Sequence, residues 1–161
     1  MDDVLTLCRG LPARTFAPGE RVLAEGARGG TVFVLVTGRV EVRKGEVTIT
    51  SVSEPGAFLG EIAALLGTPT GADVVATEPT EVLVIEHAAT SIAERPELTL
   101  AIARLLARRL QAVTSYLGDL RRQYADQGGH LAMMDTVLSE LTSARPREIE
   151  AGSERDDVPD Y

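Results

Sequence analysis

Between residues 15 and 86 no apolar run goes far before a glycine cuts it: Gly26, Gly29, Gly30, Gly38, Gly45, Gly56, Gly60, Gly67 and Gly71 divide this stretch into short pieces. The pieces at 31–36, 39–43, 47–52, 73–76 and 81–86 are rich in Val, Thr and Ile, residues that fit a pleated surface. Many short strands separated by regular turn signals predict an antiparallel barrel or roll. The run Arg39-Val40-Glu41-Val42-Arg43 alternates as a half-covered strand does, with Val40 and Val42 on one face. Lys44-Gly45-Glu46 after it reads as a hairpin turn.

One segment breaks the β pattern. Leu59-Gly60-Glu61-Ile62-Ala63-Ala64-Leu65-Leu66-Gly67 is rich in Ala and Leu, which favours a helical turn or two. The expectation is a short helix from Gly60 to Ala64 inside the roll, its N-terminus facing a cavity.

Helical patterns flank the β region. Residues 2–9 read as a short helix, capped by Asp2 or Asp3 and stopped by Gly10. Residues 88–94 form another, ending near Pro96. A long helix follows over 97–126, with apolar positions at Leu98, Ile102, Leu105, Leu106, Leu110, Val113, Leu117, Leu120 and Tyr124. From Leu110 the spacing runs 3, 4, 3, 4, a heptad seam. Such a helix either lies on its own roll or projects past it to pair with a second copy; its length favours the dimer. After Gly128-Gly129, residues 130–142 make a short amphipathic stretch with Leu131, Met134, Val137, Leu138 and Leu141 on one side. Residues 146–161 carry six acids against two arginines, with two prolines, the composition of a disordered tail. The expected organisation is a roll with its N-terminal helix over 1–96, a long helix over 97–126, a short amphipathic helix over 127–144 and an acidic tail over 145–161. The fold class is α+β, a jelly-roll-like antiparallel β-roll with a short inserted helix and a long C-terminal dimerisation helix.

Charge and cysteine usage narrow the function. A net charge of −8 repels phosphate backbones and weighs against general nucleic-acid binding. Cys8 is the one cysteine, so no intrachain disulfide or cysteine-based metal cluster forms; this fits a reducing cytoplasm. The start Met1-Asp2-Asp3 is no signal peptide, and no apolar run is long enough to span a membrane. His87 and His130 lie far apart in sequence and no HxxxH or HExxH occurs, so no metal site is expected. Ser51, Ser53 and Ser91 lie in no nucleophile elbow. The chain reads as a sensing or interaction module, not an enzyme, with no cofactor of its own.

Three stretches taken in order resemble the cyclic-nucleotide-binding domain family, which includes the bacterial catabolite activator protein and the regulatory subunits of protein kinase A. They are Phe16-Ala17-Pro18-Gly19-Glu20 with Glu25-Gly26, the segment 33–42 around Gly38, and the segment 56–69 around Gly60-Glu61. The last looks like the family's phosphate-binding cassette. A helix N-terminus offers free backbone N–H groups to a phosphate, and a glycine before it lets the ligand come close. The resemblance implies that Glu61 accepts a hydrogen bond from the ribose 2′-hydroxyl and that Leu59, Gly60, Ile62, Ala63, Thr70, Gly71 and Ala72 line the ligand site. The family places an arginine nine residues after this glutamate; here Thr70 stands there. A neutral hydroxyl replaces a fixed charge with a two-pronged donor. The resemblance therefore implies weak or absent cyclic AMP binding, unless another basic group substitutes; Arg28 and Arg39 are near in sequence. The run Ala107-Arg108-Arg109-Leu110-Gln111 with Thr114-Ser115 is similar to the activator's dimer helix, where hydroxyl residues touch the base. Here the hydroxyl pair is shifted by one residue, about 100° around a helix. That family's bacterial regulators continue into a helix-turn-helix domain; about 35 residues follow residue 126 here, the last of them acidic, so no direct contact with nucleic acid is expected.

The functional expectation is a regulatory module that binds a cyclic nucleotide or a related small anion through this cassette and signals through its long helix. The alternative is a ligand-free scaffold that uses the same fold, seam and tail. The partners expected are a second copy, a cyclic nucleotide and a protein reached through the C-terminal segment, with no membrane.

Overall fold

The structure is a computed structural model and describes residues 4–124, 136–139 and 141. The chain divides into two compact units, Met1–Leu106 and Ala107–Tyr161.

The first unit holds α1 (Val4–Leu7), β1 (Ala13–Phe16), β2 (Arg21–Leu23), β3 (Val32–Thr37), β4 (Val40–Lys44), β5 (Val47–Val52), β6 (Phe58–Leu59), α2 (Glu61–Leu66), β7 (Asp73–Ala76), β8 (Thr80–Ile85), α3 (Ala88–Ala93) and the start of α4 (Pro96–Gln123). Two four-stranded antiparallel sheets form, in the orders β1-β8-β3-β6 and β2-β7-β4-β5. This is the expected antiparallel roll with a helix inserted and a long helix after it. The predicted hairpin is present: Lys44 pairs with Val47 across Gly45 and Glu46, and Gly45 takes a φ of 59°, open to glycine at no cost.

One sheet is covered on both faces, and β3 shows how. Phe33 and Leu35 face the second sheet, in a cluster with Phe16, Val40, Leu59 and Val82. Val32 and Val34 face the helices, in a cluster with Cys8, Ala64, Ala88, Ile92, Leu98 and Ile102. A strand buried on both sides reads as a continuous apolar run, which is what Val-Phe-Val-Leu-Val is. Each such side chain contributes about 1.5–3 kcal/mol on burial, so the helix-facing cluster fixes α1, α2, α3 and the first turns of α4 on the roll. Phe16 meets Phe33 edge-on at 6.1 Å between ring centroids.

The helix ends follow from sequence. α1 is followed by Gly10 at a φ of 87°; its expected caps, Asp2 and Asp3, lie outside the described residues. α4 begins on Pro96, a residue suited to the first helical position because its missing N–H has no partner there. Thr99 Oγ1 donates to the Ile92 carbonyl at 2.6 Å, tying α3 to the start of α4.

Within the second unit, α4 continues to Gln123. Leu110, Val113, Tyr116 and Tyr124 are exposed, and Leu117 and Leu120 are half-buried. Of the expected stretch 130–142, residues 136–139 and 141 are described and are helical. The tail lies outside the described residues.

Candidate functional site

The segment from Phe58 to Ala72 leaves β6, makes the turn at Gly60, runs through α2 and returns toward β7. Gly60 adopts a φ of 88° and a ψ of 6° at the N-cap of α2, the left-handed region that costs other residues roughly 1–2 kcal/mol. A β-carbon there would also stand 3.0 Å from Leu23 Cδ1 and 3.1 Å from the Thr31 carbonyl oxygen. Glycine is thus required twice over, by conformation and by space. Gly67 at a φ of 66° closes the helix. The inserted helix is therefore present, running Glu61–Leu66 with Gly60 as its cap and not its first residue.

Glu61 opens α2 and is only 3% exposed. A carboxylate removed from water to this extent needs its bonds satisfied, and Glu61 is engaged, not free. The N–H groups of the first turn have no partner inside the helix. Ala63 and Ala64 are buried, and Leu59 points into the core between the sheets. Ile62 and Leu66 are exposed. Thr70 is buried, Gly71 exposed and Ala72 half-buried. Leu59 through Ala63 are thus contiguous at one turn, and Thr70 to Ala72 form the far end of the same excursion. Thr114, half-buried, and Ser115, exposed, lie on α4 in the second unit.

The loop joining β2 to β3 is the part that sequence reading missed. The Gly26 N–H donates to the Thr70 carbonyl at 2.7 Å, and the Thr70 N–H donates to the Ala27 carbonyl at 2.9 Å. A β-carbon on Gly29 would lie 2.7 Å from the Thr68 carbonyl oxygen and 3.0 Å from that of Ala63. The Ala88 N–H at the start of α3 donates to the Gly30 carbonyl at 2.8 Å. This loop is therefore fastened to both ends of the cassette and to α3. Its glycines, read as turn punctuation, were the available signal; Gly29 is needed for close approach.

A separate open cleft of about 360 Å³ is lined by Arg14, Thr15, Phe16, Glu20 and Arg21 and shares no residue with the cassette. Among the described residues no helix is long and apolar enough to cross a membrane.

Residues 13–91 match the family described as the cyclic nucleotide-binding domain. They belong to that family. The structure resembles the catabolite activator protein of Thermus thermophilus, with a TM-score of 0.62 and 25% identity over 74% of this chain and 60% of that one. A CRP-like cAMP-activated global transcriptional regulator of Mycobacterium tuberculosis is 29% identical over 123 residues, which is 73% of this chain and 55% of that protein. A cAMP-dependent protein kinase regulatory subunit of Mycosarcoma maydis is 37% identical over 75 residues, 44% of this chain and 14% of that protein. The chain thus spans about half the length of the bacterial regulator it matches. The matched relatives are thus named as a transcriptional regulator and as a kinase regulatory subunit.

Proposed function

We propose that this chain is a regulatory module whose cassette takes a cyclic nucleotide or a related small anionic ligand, and that occupancy is passed to α4. The observation that carries this reading is Glu61: a carboxylate 3% exposed, at the first position of α2, directly after a glycine held in the left-handed region. That placement suits a hydrogen bond from a ribose hydroxyl beside the first-turn backbone N–H groups, which have no partner within the helix. The name of the Mycobacterium tuberculosis relative, cAMP-activated, supports the class of ligand. The path out of the site is short. The Gly30 carbonyl holds the N-terminus of α3, and the Ile92 carbonyl of α3 accepts from Thr99 of α4. A ligand that tightens the loop against the cassette bears on α3 and so on the first turns of α4. Thr70 carries no charge, so the cassette by itself holds a cyclic phosphate less strongly than one with an arginine at this position. The setting is the cytoplasm, the working form a homodimer, and a protein partner reads the C-terminal segment.

A second reading has its own observation. Both charged residues between Phe58 and Asp73 are acids, Glu61 and Asp73, and Ile62 and Leu66 of α2 are exposed. A ligand-free scaffold that binds protein through this face has these features.

Thermal-shift and calorimetric titration of the full chain with cyclic AMP, cyclic GMP and cyclic dinucleotides separates the two. Ligand at ten times its Kd adds about 1.4 kcal/mol of stability, and Glu61→Gln should remove that gain, measured against the variant's own unliganded unfolding temperature because Glu61 is buried and engaged. No shift with any of these ligands at millimolar concentration discards the sensor reading in favour of the scaffold.

A further inference from the structure

An anion held at this cassette needs a cation, and the cassette supplies none: between Phe58 and Asp73 the charged residues are Glu61 and Asp73. The N-terminus of a helix of only six residues does not supply that charge by itself. The compensating charge therefore has to come from an element packed against the cassette. The β2–β3 loop is that element. It is bonded to Thr70 on both sides, through Gly26 and Ala27, and it is pressed against Ala63 and Thr68 at Gly29. Arg28 sits between those two fastenings.

We propose that Arg28 is the cationic contact for the anionic group of the ligand, delivered from the loop and not from the cassette itself. The inference rests on the sensor reading given above. Three observations single out Arg28. The other arginines of the roll have neighbours of their own: Arg21 lies 3.6 Å from Asp73, Arg39 3.9 Å from Glu78 and Arg43 2.6 Å from Glu41, and Arg14 lies over the Phe16 ring. Arg28 is exposed and has no ion pair among the described residues. The backbone on either side of it is fixed to the cassette, which lowers the entropy of holding a guanidinium there. A long, planar, permanently charged side chain is suited to reach an anion across such a seam and grip it with two donors.

The same geometry explains why residue 70 can be a threonine. Thr70 holds the loop through its backbone, which any residue other than proline could do. The charge and the anchoring are divided between two strands of chain, with Thr70 fixing the loop and Arg28 carrying the cation.

The test is calorimetric titration of the full chain with cyclic AMP and cyclic GMP at low ionic strength, on the unmodified protein and on Arg28→Gln, Arg28→Lys and Arg39→Gln. Loss of one charge-assisted pair predicts affinity lower by roughly ten- to a hundred-fold in Arg28→Gln. Arg28→Lys should recover part of it, Arg39→Gln should bind as the unmodified protein does, and all should unfold at nearly the same temperature. Unchanged affinity in Arg28→Gln overturns the proposal while leaving the sensor reading intact. An equal loss in Arg39→Gln also overturns it, because the effect is then one of diffuse charge. No binding of either nucleotide, or of cyclic dinucleotides titrated in the same way, by the unmodified protein overturns the sensor reading and Arg28 with it.

Discussion

Gly29 and Thr68 touch so closely that a β-carbon on the glycine would lie 2.7 Å from the threonine carbonyl oxygen. They are 39 positions apart, one on the loop before β3 and the other just past the C-cap of α2. Their contact makes loop and cassette one mechanical piece. Because Gly30 next to it accepts from Ala88 of α3, the piece extends to the helices that lead out of the roll.

Gly29→Ala should therefore destabilise the fold. The atoms in the way are backbone oxygens and a carbonyl carbon of Ala63 and Thr68, which cannot swing aside as a side chain would. Overpacking of this kind costs about 1–3 kcal/mol, readable as a lower midpoint in denaturant unfolding. Gly26→Ala is not an equivalent control, since Gly26 has a φ of 75° and is strained whatever the space. Gly71, with nothing within 4 Å of a built β-carbon, is the better one, and Gly71→Ala should change stability little.

Much of the fold was legible because its signals are local. The runs 47–52 and 73–76 are β5 and β7 as they stand, and 31–36, 39–43 and 81–86 are each displaced by one residue from β3, β4 and β8. β2 and β6, of three and two residues, were invisible, because so few residues carry no period; they are strands through their partners in the sheet. The cassette was legible from Gly60, whose conformation only glycine takes easily. What supports it was not. The bonds from Gly26 and Ala27 to Thr70 join positions more than forty residues apart, and no sequence period records them. The same distance kept Arg28 from being placed relative to the cassette and Arg39 from being matched to Glu78.

Thr70→Arg should raise affinity for cyclic AMP by roughly ten- to a hundred-fold, the worth of one charge-assisted hydrogen bond. The backbone pairing with Gly26 and Ala27 does not depend on the side chain and should survive. Thr70 is 8% exposed, so the longer side chain costs about 1–3 kcal/mol in the unliganded protein. The expected signature is a lower unfolding temperature without ligand and a larger upward shift with it. Titration showing no gain over the unmodified protein would mean that residue 70 does not face the ligand.

Cys8 links stability to alkaline pH. Burial raises its pKa above the ordinary value of 9.0, against a smaller opposing pull from the charge of Arg95. The folded state therefore keeps the thiol protonated where the unfolded chain would release the proton. The stability this contributes is fully present below pH 9.0 and is lost as pH rises through the higher folded value. Denaturant midpoints should fall in this alkaline range for the unmodified protein and fall less for Cys8→Ala, after allowing for the constant cost of the smaller side chain. In the native state near neutral pH the thiol should react slowly with a maleimide, because the thiolate is scarce and buried; fast modification without unfolding would contradict this placement.

The stripe on α4 predicts assembly. Leu110, Val113, Leu117 and Leu120 recur at intervals of 3 and 4, and Leu110 and Val113 are 44% and 50% exposed in the single chain. Tyr116 and Tyr124 add exposures of 63% and 48%. Apolar side chains gathered on one face of a helix and left in water mark an interaction surface, and the heptad spacing fits a parallel pair of identical helices. Covering a leucine contributes about 1.5–3 kcal/mol, so several per chain exceed the entropic cost of association when packing is good. Gly118 sets a limit: it is half-buried and weakens the helix by about 1 kcal/mol. The competing arrangement has the apolar side of 131–141 folded over the stripe of its own chain, and most of that segment lies outside the described residues. Leu117→Glu distinguishes the two, because it puts a charge in the centre of a paired seam. Sedimentation at micromolar concentration should show a dimer for the unmodified chain and a monomer for the variant, with the roll still folded by circular dichroism. A monomer in both samples would mean that the stripe is closed within one chain, and a dimer in both would move the interface off α4.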